Sequence, residues 1–159
     1  MRLGPHIAAS GAAGAIVWAA TGEPWALPIA VAGGVLPDAD HLLDYYLWYV
    51  KRRFNRILLI FHAWEYLAVM VAVYAGGVRE PWLLALIAGY FTQIGGDQLF
   101  NGVLWHTYLI TARIRYRFKV VRVIDTPRFQ AYRALVESLP YVGRKYLQPW
   151  FESRLRRSS

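Results

Sequence analysis

Trp25-Ala26-Leu27-Pro28-Ile29-Ala30-Val31-Ala32-Gly33-Gly34-Val35-Leu36-Pro37-Asp38-Ala39-Asp40-His41 is an apolar run of helical length that ends on two carboxylates and an imidazole. Asp38 and His41 share a helical face at i,i+3, and Asp40 and Asp44 share one at i,i+4. An ionisable group in hydrocarbon costs about 2.5–3.5 kcal/mol on insertion scales, so such groups at the end of a membrane-type run call for partners. Together they can chelate one metal ion or bridge two. The plainer alternative is that Pro37-Asp38 opens a capped turn and leaves Asp40 and His41 solvated.

Three further apolar stretches repeat the pattern. Residues 7–20 follow His6, residues 57–75 contain His62 and Glu65, and residues 82–99 carry Asp97, with Asn101 just beyond. The expectation is an all-α integral membrane bundle of about four transmembrane helices over residues 1–110. A basic, aromatic, amphipathic tail follows over residues 111–159. Residues 7–20 and 25–36 fall short of the roughly 20 residues of a perpendicular span. The stretch behind Arg2 also has the outline of a signal peptide, and it is expected to be kept as a short membrane helix. Its small residues, Ala8, Gly11, Ala12, Ala15 and Ala19, suit close helix approach.

Composition supports a membrane solvent. The chain of 159 residues is 57% hydrophobic and 18% charged, below the roughly 25% charged of soluble domains. Seven Trp and eleven Tyr suit membrane–water interfaces. A net charge of +8 is the kind of excess that nucleic-acid binders carry. In so apolar a chain it fits anionic lipid headgroups better, so membrane lipids and not nucleic acid are the expected partners. With no cysteine, a metal would bind through nitrogen and oxygen alone.

Basic residues set the orientation. Lys51, Arg52, Arg53 and Arg56 separate the second and third stretches, and Arg113, Arg115, Arg117, Lys119 and Arg122 follow the fourth. The other two connections hold only Arg79. Both termini are therefore expected in the cytoplasm, with His6, Asp38, Asp40, His41, His62 and Asp97 at one depth near that face. The tail reads as an alternating ribbon over residues 114–120, an amphipathic helix over 128–139, and a membrane-surface segment around Trp150 and Phe151.

Within the third stretch, His62 and Glu65 stand at i,i+3, the offset used in reverse order by di-metal helix bundles. A histidine that merely hydrogen-bonds in a packed core is the alternative. Gly89, Gln93, Asp97 and Asn101 recur every fourth residue as one polar stripe. Asp97 is the expected ligand there, with Asp44, Gln93 and Asn101 supporting from behind. An interhelical hydrogen-bond face would use the same stripe. His106 reads as an interfacial residue. Phosphate-loop, dinucleotide and nucleophile-elbow motifs are absent, and Ser10 is the only serine before Ser138.

These residues resemble a family of bacterial and archaeal inner-membrane proteins, LexA-binding and described as membrane-bound metal-dependent hydrolases. Leu36-Pro37-Asp38-Ala39-Asp40-His41 matches that family's Leu-Pro-Asp-x-Asp-His run, and His6 takes the place of its early histidine. Residues 89–97 match its Gly-Tyr-x-x-His-x-x-x-Asp segment except at Gln93. In its third segment His62 fits the second histidine, while Ile57 stands where the first would be. The resemblance covers residues 2–120.

It implies an inner-membrane hydrolase with a divalent metal (Zn, Mn or Mg) held by His6, Asp38, Asp40, His41, His62, Glu65 and Asp97. The two missing imidazoles shift that set towards oxygen, and so towards Mg²⁺ or Mn²⁺. The expected reaction is hydrolysis of a phosphoester or ester in a lipid-like substrate at the cytoplasmic leaflet. Glu65 or Asp40 would serve as base, and Arg52, Arg53 and Arg56 would hold an anionic headgroup. The rival expectation is a non-catalytic membrane protein with a structural metal or polar core, its tail recruiting lipid or a protein partner.

Overall fold

The computed structural model describes residues 3–51, 56–101, 103–119, 141, 143–150 and 153. Among them the protein is all-helical, and a single antiparallel bridge between Arg56 and Lys119 is the only extended pairing. Helix α1 spans Leu3–Thr21 and α2 spans Ala26–Val35. A 3₁₀ turn over Leu36–Ala39 leads into α3, Asp40–Tyr45, and a π-type turn over Tyr46–Val50. After residues 57–63 come α4, Trp64–Ala75, and α5, Pro81–Phe100. The short α6 covers Ile110–Arg115, and a second π-type turn covers Gly143–Leu147.

The helix ends follow local chemistry. Gly22, with φ +76°, takes the left-handed position that closes α1, and its N–H bonds the carbonyl of Trp18 at 2.7 Å. Pro81 occupies the first turn of α5, where its missing N–H costs nothing. Pro37 falls where α2 gives way to the tighter 3₁₀ turn, which swings Asp38 and Asp40 back towards the bundle.

Helices α1, α2 and α5 pack on one another to form the body of the molecule. Of the small residues expected to permit this, Gly11 does face α2, where a Cβ would stand 3.8 Å from Val31 Cγ2, but the rest lie on a different face of α1. His6, Ser10, Gly14 and Val17 are buried, whereas Ala8, Ala12, Ala15 and Ala19 point outward. A Cβ on Gly14 would stand 2.8 Å from the Leu27 Cα, and one on Gly89 would stand 2.7 Å from the Ala30 carbonyl carbon. Backbones touch backbones here, so the helix spacing is set by the absence of side chains.

Helix α1 is, among the described residues, the one helix long and apolar enough to cross a membrane; α4 is apolar but shorter. Two expected elements are corrected. The third apolar stretch is helical only from Trp64, because Ala63 is extended and residues 57–63 form an irregular segment. The ribbon expected over 114–120 is instead the end of α6 and a turn, with Arg117 and Phe118 both left-handed. Residues 128–139 and most of the tail beyond lie outside the described residues, as do Arg52 and Arg53. Helix α6 straddles the boundary drawn at residue 110.

Candidate metal centre

Five segments deliver polar side chains to one buried point: α1 brings His6, the 3₁₀ turn Asp38, α3 Asp40 and His41, residues 57–63 His62, and α5 Gln93 and Asp97. His62 is fully buried at the centre. Its Nδ1 lies 3.1 Å from Asp40 Oδ2, and its Nε2 lies 3.2 Å from both Asp38 Oδ1 and Asp97 Oδ2. His6 Nε2 approaches the other oxygen of Asp97 at 3.1 Å. His41 stands at the rim, 3.8 Å from Asp38 Oδ1, with its ring centroid 5.0 Å from that of His62.

Two groups of these residues present ligand atoms within 4.8 Å of one another: Asp38, His41 and His62, and His6, Asp38 and Asp97. Nitrogen and oxygen atoms gathered this closely are the donor set of a divalent cation. Asp38 belongs to both groups. Three polar atoms of the cluster, His6 Nδ1, Asp40 Oδ1 and Gln93 Oε1, are buried without a hydrogen-bond partner. Buried acceptors left open in this way are what a cation or water would satisfy. These buried His and Asp groups could therefore hold a metal ion.

Charge points the same way. The His62 ring lies against the carboxylates of Asp38, Asp40 and Asp97. Three carboxylates around one ring gather positive charge, as a proton or as a metal. The Gln93 amide donates to Asp38 Oδ1 at 2.6 Å and to Asp97 Oδ2 at 3.1 Å, and the Asn101 amide donates to Asp97 Oδ1 at 2.8 Å. Gln93 therefore stands within the cluster rather than behind it, on the same Asp38 and Asp97 oxygens that face His62 and 3.4 Å from His62 Nε2, while Asn101 shares Asp97 Oδ1 with His6.

The site opens on one side only. The side chains of Asp38 and His41 are 25% and 33% exposed, whereas those of His6, His62, Asp40 and Asp97 are at most 2% exposed. Beside the opening, Leu36, Leu42 and Leu43 are exposed on the outer face of the turn and α3.

Glu65 is not brought to this cluster. The i,i+3 argument required His62 and Glu65 on one helix, and His62 precedes the helix. The Glu65 carboxylate instead accepts the N–H groups of Ile110 and Thr111, both at 3.0 Å, and so caps α6. Asp44 also lies apart, accepting the N–H groups of Leu58 and Leu59 at 2.7 and 3.0 Å. Burial pushes its carboxyl up to about 6, with those two N–H groups pulling the other way. Arg56 is exposed in the bridge to Lys119. His106 packs its ring between Trp105 and Tyr116. Ser10 is buried and donates to the His6 carbonyl at 2.5 Å, which engages its hydroxyl within α1.

Sequence reasoning missed three buried side chains around the segment that bears His62. Tyr90 donates to the Phe61 carbonyl at 2.7 Å and accepts the Ala63 N–H at 3.0 Å. Tyr108 lies against the His62 ring at 5.6 Å and accepts from Asn101 at 3.1 Å. Arg113 is fully buried against residues 58–62. Tyr90 fell within the matched Gly-Tyr segment without being given a role, Tyr108 gave no signal beyond aromaticity, and Arg113 read as one of a basic run.

No family model, no curated protein and no solved structure matches this chain.

Proposed function

We propose that the chain is a membrane-embedded, metal-dependent hydrolase that cleaves a phosphoester or ester bond in a lipid-like substrate at the cytoplasmic leaflet. One observation carries the reading: two groups of buried and half-buried ligand-type residues, drawn from separate segments, share Asp38. A carboxylate common to two such groups suits a pair of ions about 3.5–4 Å apart. Metal bound there supplies Lewis-acid polarisation of a phosphoryl or acyl oxygen and lowers the pKa of water.

The chain's own groups divide the remaining work. His6, Asp38, His41, His62 and Asp97 are the ligands, and Gln93 and Asn101 hold the carboxylates in place. Asp40, with Oδ2 turned to His62 and Oδ1 free of hydrogen bonds and 4.0 Å from His41 Nδ1, is the group available to take a proton. The open edge at Asp38 and His41 admits the polar linkage, and the exposed Leu36, Leu42 and Leu43 lie where an acyl chain would run.

The membrane setting is supported by an inverted profile. Buried positions are rich in His6, Ser10, Asp40, Asp44, His62, Gln93, Asp97, Thr107 and Arg113, while Ile16, Trp18, Val69, Val71, Val73, Phe91 and Leu99 are exposed. Exposed apolar surface on that scale suits hydrocarbon. In this reading α1, α2, α4 and α5 are the four membrane helices of an inner-membrane protein, with both termini cytoplasmic on the strength of the basic connections. Helices α2 and α4 are about 15 and 18 Å long by helical rise, so the bundle sits unevenly in the bilayer. The motif resemblance to membrane-bound metal-dependent hydrolases favours the same chemistry.

A non-catalytic polar core is the rival, favoured by the Gln93 amide that already joins Asp38 to Asp97. Hydrolysis assays on detergent-purified protein decide between them, using phosphatidic acid and a lysophospholipid with Mg²⁺, Mn²⁺ or Zn²⁺. The expected result is metal-dependent cleavage that Asp40→Ala abolishes. Full cleavage by Asp40→Ala, or none by the unaltered protein under any of the three metals, rejects the hydrolase.

A further inference from the structure

His62 is the hub of the cluster, yet it stands on a segment with no regular structure. Irregular backbone at membrane depth persists only where protein groups satisfy it. Some main-chain groups of this segment meet other main chain, Ile57 N–H at the Phe118 carbonyl (2.9 Å) and His62 N–H at the Leu59 carbonyl (3.1 Å), but most of the N–H groups between those two are met by side chains. Asp44 takes the N–H groups of Leu58 and Leu59, Asp40 Oδ2 takes that of Phe61 at 2.8 Å, and Tyr90 takes that of Ala63. The carbonyls of Leu58, Leu59 and His62 go to Arg113, and that of Phe61 goes to Tyr90. Arg113 Nη1 donates to Leu58 at 3.1 Å and to Leu59, and Nη2 donates to His62 itself at 2.7 Å.

Leu59 sits at the middle of this grip with φ +44°, a left-handed conformation that strains a residue with a side chain. Its N–H is held by Asp44 and its carbonyl by Arg113, so both sides of the strained residue are clamped. A buried guanidinium is itself expensive. One whose two Nη groups both go to main-chain carbonyls of a ligand-bearing segment, with Nε buried and unbonded, has a positioning role, because its planar fork fixes the directions of several acceptors at once.

We infer that Arg113 and Asp44 form a clamp that positions the His62 imidazole between Asp38, Asp40 and Asp97. Arg113 reaches the segment from α6 and Asp44 from α3, so His62 is registered against two elements at once. The clamp acts on His62 and leaves His6, which is carried by α1, untouched. Its consequence for metal affinity rests on the metal-site reading above; its consequence for the placement of His62 does not.

The test is carried out on full-length protein in detergent with Arg113→Lys, which keeps the charge but loses the fork, and with Asp44→Asn, which loses one of the two acceptor oxygens. Arg115→Lys, on the exposed side of α6, is the control. Modification by diethyl pyrocarbonate, located by mass spectrometry, reads each histidine separately. His62 should react on the order of tenfold faster in both clamp variants, with His6 and the control unchanged. Mn²⁺ titration should show affinity about 10–100-fold weaker in the same two variants.

A uniform rise at His6 and His62 alike would mean general loosening and overturns the clamp. So does unchanged His62 protection in folded Arg113→Lys. If that variant fails to fold, Asp44→Asn takes its place in the same measurement, and unchanged His62 protection there overturns the clamp equally. If the unaltered protein binds no metal, the hydrolase reading falls while the histidine-specific reactivity still decides the clamp.

Discussion

On one side of the cluster, His6, Gln93 and Asp97 stand on α1 and α5, each of which packs its backbone against α2, at Gly14 and at Gly89 respectively. On the other side, His62 stands on residues 57–63, whose shape comes from Asp40, Asp44, Tyr90 and Arg113 bonding to its main chain. The first half is held by shape, through side chains that are absent. The second is held by buried polar groups, through side chains that reach across from other elements. A site can therefore be built to one precision by two unrelated means, and the two should fail differently.

The largest effect is expected where the halves meet. Asp38 touches both, through His62 on one side and Gln93 on the other. Asp38→Ala should lower bound Mn²⁺ to background, an affinity loss beyond about 100-fold, because it removes the shared ligand of both groups. Retained stoichiometric metal would mean that the halves do not share an ion.

Next comes the helical half alone. Gly89→Ala places a methyl against the Ala30 carbonyl, so α2 and α5 must separate, and thermal unfolding in detergent should show a loss of roughly 1–3 kcal/mol. Gly95→Ala, on the same helix, meets nothing within 4 Å and should be neutral or stabilising by up to about 1 kcal/mol. Equal effects at the two positions would remove the case for backbone contact.

Gln93→His sharpens the account of the ligand set. It sets an imidazole where an amide now bridges Asp38 and Asp97, and should move metal preference about tenfold towards Zn²⁺. Competition titration of Zn²⁺ against Mn²⁺ reads this directly. The smallest effect is expected at Glu65→Gln, which weakens the cap on α6 by about 1 kcal/mol and leaves metal content unchanged. A fall in metal content there would return Glu65 to the ligand set.

The contrast also explains what could be read from the sequence. Helices α1 and α5 run within a few residues of their apolar stretches, and the four-residue repeat of Gly89, Gln93 and Asp97 marked the inner face of α5, because helical periodicity is written into residue spacing. Residues 57–63 were opaque, since a continuous apolar run looks the same whether it coils in lipid or lies extended under Arg113 and Tyr90. That error displaced Glu65, whose role was inferred from a helix that begins only at Trp64. Arg113 was invisible for a related reason: a buried guanidinium and an exposed one have the same letter and the same neighbours. On α1, smallness was legible at Ala8, Ala12, Ala15 and Ala19, but smallness alone does not say which side meets α2.

Elemental analysis of the intact, detergent-purified protein tests the central claim most directly. The account predicts one or two tightly held equivalents of a divalent transition metal or Mg²⁺ per chain, lost on Asp38→Ala while the helical circular dichroism is kept. Folded protein that carries no metal above background, and takes up none on dialysis against Mg²⁺, Mn²⁺ or Zn²⁺, would contradict it.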